Sequence, residues 1–193
     1  MRTTPVIMAV PAAVLLLLLA GCVPGNEPTF VSSDPPTSRP TATGTPSPSA
    51  TPVDSATPIT IDCNVLITPQ EMIDYNANFT LKSDYSPAPG SLGDQAVAAK
   101  GLACAWVNGT SGELIEVSAA DLPEAEYTAT MNELVTTSNP VPTFGVEGYF
   151  RADGGTGVAQ AGTGRFWIAA ISPAFFEPGD AAPLMKAAIA ALG

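Results

Sequence analysis

Hydrophobic positions along this 193-residue chain fall into three regions with different patterns. Residues 6–20 are an almost uninterrupted apolar run, with leucine at every position from 15 to 19. Between 23 and 58 large apolar side chains nearly vanish, and from 59 onward they recur with helical and strand spacings. The pattern predicts a leader over 1–21, a linker that begins with a cysteine over 22–58, and one folded domain over 59–193.

The leader has the layout of a bacterial lipoprotein signal peptide. Arg2 precedes the apolar run, whose fifteen residues would span roughly 22 Å as a helix, less than the ~30 Å of a bilayer core. Leu19-Ala20-Gly21-Cys22 then resembles a lipobox, which implies that Cys22 becomes the first mature residue and carries a diacylglycerol. We therefore expect a membrane-anchored protein on the extracellular face, the alternative being an ordinary signal peptide in which Cys22 is incidental.

The segment from 23 to 58 has the composition of a spacer. Nine of its 36 residues are proline and 13 are serine or threonine. Such a stretch has too little apolar surface to offset chain entropy, so we predict disorder. Its reach is about 35 Å as a coil and roughly 110 Å as fully extended polyproline II, enough to hold the domain away from the lipid.

Three helices are predicted from capping signals and apolar stripes. Thr68 and Glu71 form a capping box around Pro69, and this helix continues to about position 77. Asp121 is the expected N-cap of the second helix, and the third is expected to start at Asp180. The stripe of the second helix is Tyr127, Met131, Leu134 and Val135.

The strands make this an α+β domain, an antiparallel sheet of about five strands packed by two to three helices. The expected strands are 102–107, 114–118, 146–151, 157–161 and 166–171. Glycine-rich turns near 154 and 163 separate the last three, which predicts a meander. The Pro-, Gly- and Ala-rich stretch 83–98 is interpreted as a loop.

Two cysteines remain once Cys22 is acylated. An exported chain meets oxidising conditions, so Cys63 and Cys104 are expected to form a disulfide. Strand alternation places Cys104 on one face with Leu102 and Trp106, which predicts a bridge beside a core tryptophan.

Composition removes several classes of function. Without histidine there is no Ser-His-Asp or Cys-His catalysis and no histidine metal site. The formal net charge of −11 argues against nucleic-acid binding. The glycine-rich segment 154–164 is not followed by the lysine of a phosphate-binding loop. The acidic residues do not have the spacing of a calcium-binding loop. We predict no enzyme activity, no metal and no cofactor; two carboxylates converging in a cleft, with one of them buried, would reopen a hydrolase interpretation.

Two aromatic pairs are candidate contact surfaces. Phe175 and Phe176 are adjacent, so in an extended segment only one points inward and the other either anchors a partner or packs under the last helix. Tyr75 and Phe79 either fill the core or line a small cleft between helix and sheet.

The pattern around Cys63 and Cys104 supports a family resemblance. The pattern consists of Cys63 ahead of Leu-Ile-Thr68-Pro-Gln-Glu, then Cys104-Ala-Trp106, then a meander with glycine turns. It resembles uncharacterised lipoproteins of actinobacterial cell envelopes with a PsbP-like α+β domain. The resemblance implies an envelope location and transfers no catalytic residue. We expect a non-catalytic module that binds a protein or wall component; the alternative is a carrier or sensor of a small extracellular ligand.

Overall fold

The computed structural model describes residues 54–193, so the predicted leader, the lipobox with Cys22 and most of the linker lie outside the described residues. Helices, including one 3-10 helix, and strands alternate along the described part. In chain order they are α1 (Cys63–Leu66), α2 (Pro69–Asn76), β1 (Phe79–Leu81), α3 (Leu92–Ala98), β2 (Leu102–Asn108), β3 (Leu114–Asp121), α4 (Glu124–Thr137), β4 (Asn139–Pro140), a 3-10 helix (Pro142–Phe144), β5 (Glu147–Asp153), β6 (Thr156–Thr163), β7 (Phe166–Ser172) and α5 (Pro178–Leu192).

The strands form one antiparallel sheet in the order β1-β2-β3-β7-β6-β5-β4. The α+β class and the meander β5-β6-β7 are confirmed. The seven strands exceed the expected five because β1 and β4, at the two edges, have only three and two residues. Segments this short carry no readable alternation. Helix α4 connects β3, in one half of the sheet, to the edge strand β4 at the end of the other half.

Two helices were missed, and both are short. The predicted loop 83–98 was wrong over its last part, which contains α3. Ser91 caps α3 by accepting a hydrogen bond from the Asp94 backbone N–H. Its small residues reflect close packing on the sheet, because a Cβ on Gly93 would lie 2.6 Å from Oε1 of Glu116. The four-residue α1 is capped by Asp62.

Helix starts follow the predicted signals in one case and depart from them in two. The capping box of α2 is present as predicted, with Thr68 and Glu71 as its partners. Asp121 is not the N-cap of α4; it ends β3, and its carboxylate accepts a 3.0 Å hydrogen bond from Arg165. Helix α5 starts two residues before Asp180, which occupies the third helical position in a capping box with Glu177.

Apolar residues on the two faces of the sheet form separate clusters. The front face is covered by α1, α2 and α5, and its cluster contains the largest buried side chains. The back face is covered by α3 over β2 and β3 and by α4 over β5 and β6. Its clusters are smaller and centre on Trp167 and Met131. Of the predicted α4 stripe, Val135 points outward with 59% of its surface exposed.

Gly101 marks the tightest approach of backbone segments in this layer. A Cβ there would lie 2.1 Å from the carbonyl oxygen of Ala119 and 2.7 Å from that of Ala96. The chain leaves α3 through Lys100, the one described non-glycine residue with positive φ, at 59°. Only glycine fits at 101, because α3 and β3 both contact its backbone.

Ordered contacts begin five residues before the expected domain start. The Asp54 carboxylate accepts a 3.0 Å bond from Arg165 and a 2.8 Å bond from the Glu124 backbone N–H. The Thr57 N–H then donates to the carbonyl oxygen of Asp121. The hydrogen bond from the Glu124 N–H, together with the Arg165 guanidinium, lowers the pKa of Asp54, and burial partly opposes this effect.

Candidate functional site

The disulfide between Cys63 and Cys104 is present and joins α1 to β2, with a Cα–Cα distance of 5.7 Å. Cys104 is buried in the front cluster with Trp106, which lies two residues along on the same face. The prediction of a bridge beside a core tryptophan is confirmed. Because α1 leads directly into α2, the bond also holds the start of α2 against the sheet.

The predicted aromatic pair Tyr75 and Phe79 lies in a cavity of about 830 Å³ between α2 and α5. Their ring centroids are 6.2 Å apart and tilted by 55°. Phe79 is buried and contributes to the front cluster, whereas Tyr75 is half-buried at the cavity wall. The two interpretations of this pair are therefore both met in part, since the rings fill the core and also line a cleft.

Carboxylates surround this aromatic pair. We call the cavity the acidic cleft; its walls include Glu71, Asp74, Glu113 and Asp180 around Tyr75 and Phe79. Lys186 is the one basic residue in its described lining. Burial, with a further effect of the Asp180 charge, raises the pKa of Tyr75. The excess of negative charge over an aromatic wall suits a cationic group better than an anion.

The carboxylates of the cleft are also held by their own helices. Glu71 accepts from the backbone N–H and hydroxyl of Thr68, both at 2.7 Å. Asp74 accepts from Gln70 at 2.7 Å, and Asp180 accepts from the backbone N–H groups that precede α5. These bonds fix the charges in place before any ligand arrives, which reduces the ordering cost of binding.

The adjacent rings of Phe175 and Phe176 point in opposite directions. Phe175 is 1% exposed and packs over Gly157, where a Cβ would lie 2.2 Å from the Phe175 carbonyl oxygen. Phe176 is 82% exposed at the start of α5, and its backbone N–H donates to Asp180. Phe175 therefore belongs to the core, and only Phe176 remains a candidate contact residue.

A second cavity, of about 490 Å³, lies on the back face between α3 and α4. We call it the sheet groove; its lining includes Leu92, Leu122, Leu134, Arg151, Gln160 and Trp167. Helix α4 is seated close to β6 because Gly162 has no side chain: a Cβ there would lie 2.3 Å from the Tyr127 hydroxyl. The groove was not predicted. Its signal in the sequence is Gln160, a polar residue inside the otherwise apolar strand β6.

Polar atoms without partners are concentrated on the back face. Among the described residues, the buried side-chain atoms without a hydrogen bond are Oε1 of Glu116, Oγ of Ser118 and Nε of Arg151. Burial raises the pKa of the Glu116 carboxyl, partly opposed by the backbone N–H of Gly93. Buried polar groups are usually paired, so this face carries a stability cost that a well-packed core would avoid.

No group of three or more histidine, cysteine or acidic side chains in residues 54–193 is arranged to hold a metal ion. Of the helices described, none combines the length and the apolarity needed to cross a bilayer.

Comparisons of the chain with family models, curated proteins and solved structures give no match.

Proposed function

We propose that this protein is a non-catalytic binding module that is anchored to the outer face of the cell membrane by a diacylglycerol on Cys22. The support for anchoring is the Leu-Ala-Gly-Cys sequence directly after the apolar leader. The resemblance to actinobacterial envelope lipoproteins agrees with it. The spacer then lets the domain reach partners in the surrounding envelope.

The binding role rests on the acidic cleft. Its volume of about 830 Å³ and its aromatic wall of Tyr75 and Phe79 make room for a ligand group, and the carboxylates set the preferred charge. A lysine or arginine of a protein partner, or an amine of a wall component, would meet Asp74 and Glu113 and stack on Tyr75. The negative charge of the whole domain, with 15 acidic and 5 basic residues over 59–193, would steer such a partner toward it.

Charge reversal in the cleft tests this proposal. Asp74 is exposed on α2, so Asp74→Lys changes the cleft without disturbing the core. Asp153→Lys at the exposed end of β5 is the matched control, because it changes the net charge equally. We expect crosslinking of intact envelopes to recover a partner with the wild type and Asp153→Lys and to lose it with Asp74→Lys. Equal recovery with both variants would contradict a role for the cleft.

Anchoring is tested separately by mass spectrometry of the mature N-terminus. We expect Cys22 to be the first residue with a diacylglycerol mass on its sulfur, and the leader to be retained when lipoprotein signal peptidase is inhibited. A freely secreted product that begins elsewhere would refute the anchor and leave the cleft proposal standing.

A carrier or sensor of a small extracellular ligand is the second candidate function. The volume of the acidic cleft falls in the range of about 300–1,000 Å³ that small-molecule sites occupy. Dialysis of the purified protein against an envelope extract, followed by mass spectrometry of the retained molecules, separates this candidate from the first. A ligand retained by wild type and lost with Asp74→Lys would favour the carrier.

A further inference from the structure

The sheet groove has the composition of a small-molecule site and is separate from the acidic cleft. It lies on the opposite face of the sheet, with α3 and α4 as its walls and β5, β6 and β7 beneath it. The fourteen-residue α4 has only two buried residues, Met131 and Leu134. Much of the side of α4 that faces the sheet therefore lines the groove and does not pack against the strands. Its volume of about 490 Å³ is within the usual range for bound small molecules.

Arg151 supplies a buried hydrogen-bond donor without an acceptor in this groove. Its Nε atom is buried and has no hydrogen-bond partner among the described residues. No carboxylate of residues 54–193 lies within ion-pair distance of its guanidinium, although Glu126 and Glu133 line the same groove. A buried donor atom without an acceptor is costly, and a ligand that accepts a hydrogen bond from Nε would relieve that cost.

Gln160 supplies a second donor beside Arg151. Gln160 is only 5% exposed, and its carboxamide oxygen accepts a 3.0 Å bond from the indole N–H of Trp167. No described residue accepts a hydrogen bond from the amino group of this carboxamide. Arg151 pairs with Val158 on β6, two residues from Gln160, so both donors lie on the back face of neighbouring strands.

We propose that the sheet groove binds an organic monocarboxylate with an apolar body. The carboxylate accepts hydrogen bonds from the Arg151 guanidinium and the Gln160 amino group. The planar guanidinium of arginine matches the geometry of a carboxylate. The apolar body lies against Trp167, Leu92 and Leu134. A second negative charge on the ligand is disfavoured, because Glu126 and Glu133 line the wall and the domain is strongly acidic.

The test is calorimetric titration with 2-naphthoate, an aromatic monocarboxylate, and with its uncharged methyl ester. All proteins are full chains carrying Cys22→Ser, so that none of them carries a diacylglycerol at position 22. Arg151→Gln removes the proposed cation, and Lys186→Gln is the matched control, since it removes the same charge from the acidic cleft. Ala129→Phe, at an exposed position of α4 that lines the groove, fills the space without entering the core.

We expect saturable binding of 2-naphthoate to the Cys22→Ser chain, a loss of about tenfold or more with Arg151→Gln, and little change with Lys186→Gln. Ala129→Phe should abolish binding while circular dichroism stays unchanged. In ¹H–¹⁵N spectra the Trp167 indole signal should shift on binding and the Trp106 signal should not. Absent binding, equal binding of the methyl ester, or an equal loss with Lys186→Gln would each overturn the proposal.

Discussion

Reduction of the Cys63–Cys104 disulfide should remove a large part of the stability of this domain. The bond closes a loop with a sequence separation of 41 residues. In the chain-entropy model such a loop restricts the unfolded chain by about 13 cal/mol/K, or about 4 kcal/mol at 25 °C. Most domains of this size have a total unfolding free energy of about 5–15 kcal/mol, so the loss would be severe.

The assay is urea unfolding of the same protein with and without a phosphine reductant, followed by tryptophan fluorescence. Reduction leaves two thiols of nearly the same volume at Cys63 and Cys104, so the core loses few contacts. With a slope near 2 kcal/mol per molar urea, the midpoint should fall by about 2 M. The double variant Cys63→Ala/Cys104→Ala should be insensitive to the reductant, and Cys22→Ser should respond as the wild type does.

A change below about 1 kcal/mol on reduction would refute the loop-closure reasoning. Alkylation of the thiols under native conditions, followed by mass spectrometry, then shows whether the disulfide itself or its effect on the unfolded chain was wrongly inferred. If Cys63 and Cys104 are protected before reduction and alkylated after it, the bond exists but does not restrict the unfolded chain as calculated.

Three further predictions follow from the packing and the charges. Gly101→Ala should destabilise by at least about 3 kcal/mol, because its Cβ would meet backbone, whereas Gly109→Ala, with its nearest atom at 3.7 Å, should be nearly neutral in thermal unfolding. Phe175→Ala should cost about 3–5 kcal/mol and Phe176→Ala less than about 0.5 kcal/mol in urea unfolding, since one ring is buried and the other exposed. Burial raises the folded-state pKa of Glu116, so its contribution to stability is fully present below the unfolded pKa and is lost as pH rises through the folded pKa. Glu116→Gln should therefore be more stable than wild type at pH 7, with a gap that narrows at acidic pH; a variant less stable than wild type at pH 7 would contradict this.

The sequence predicted the front of the molecule better than the back. The α2 capping box, the disulfide beside Trp106 and the meander were all readable, because each depends on neighbouring residues or on strand alternation. Helix α3 was not, because its seven residues are too few to show a clear apolar stripe and its closeness to β3 depends on Gly93. Asp121 was misassigned as a helix cap because Arg165, 44 residues away, takes its carboxylate.

Of the two candidate sites, the acidic cleft was partly predictable from the sequence and the sheet groove was not. Tyr75 and Phe79 are four residues apart around the end of α2, so their proximity was a local inference, and the structure added the carboxylates of α5 and of the β2–β3 turn. Arg151, Gln160 and Trp167 stand on three successive strands, and nothing in their sequence spacing shows that they meet.

By itself the sequence determined local features of this protein: the capping box of α2, the glycine turns of the meander and the period of the strands. These depend on interactions over a few residues, which the order of side chains specifies directly. Only the tertiary structure decided that β3 pairs with β7, that α3 and α4 leave a groove, and that the Nε atom of Arg151 is buried without an acceptor in the described part of the chain. Those outcomes depend on how helices from distant parts of the chain cover both faces of one sheet, which no single stretch of sequence specifies.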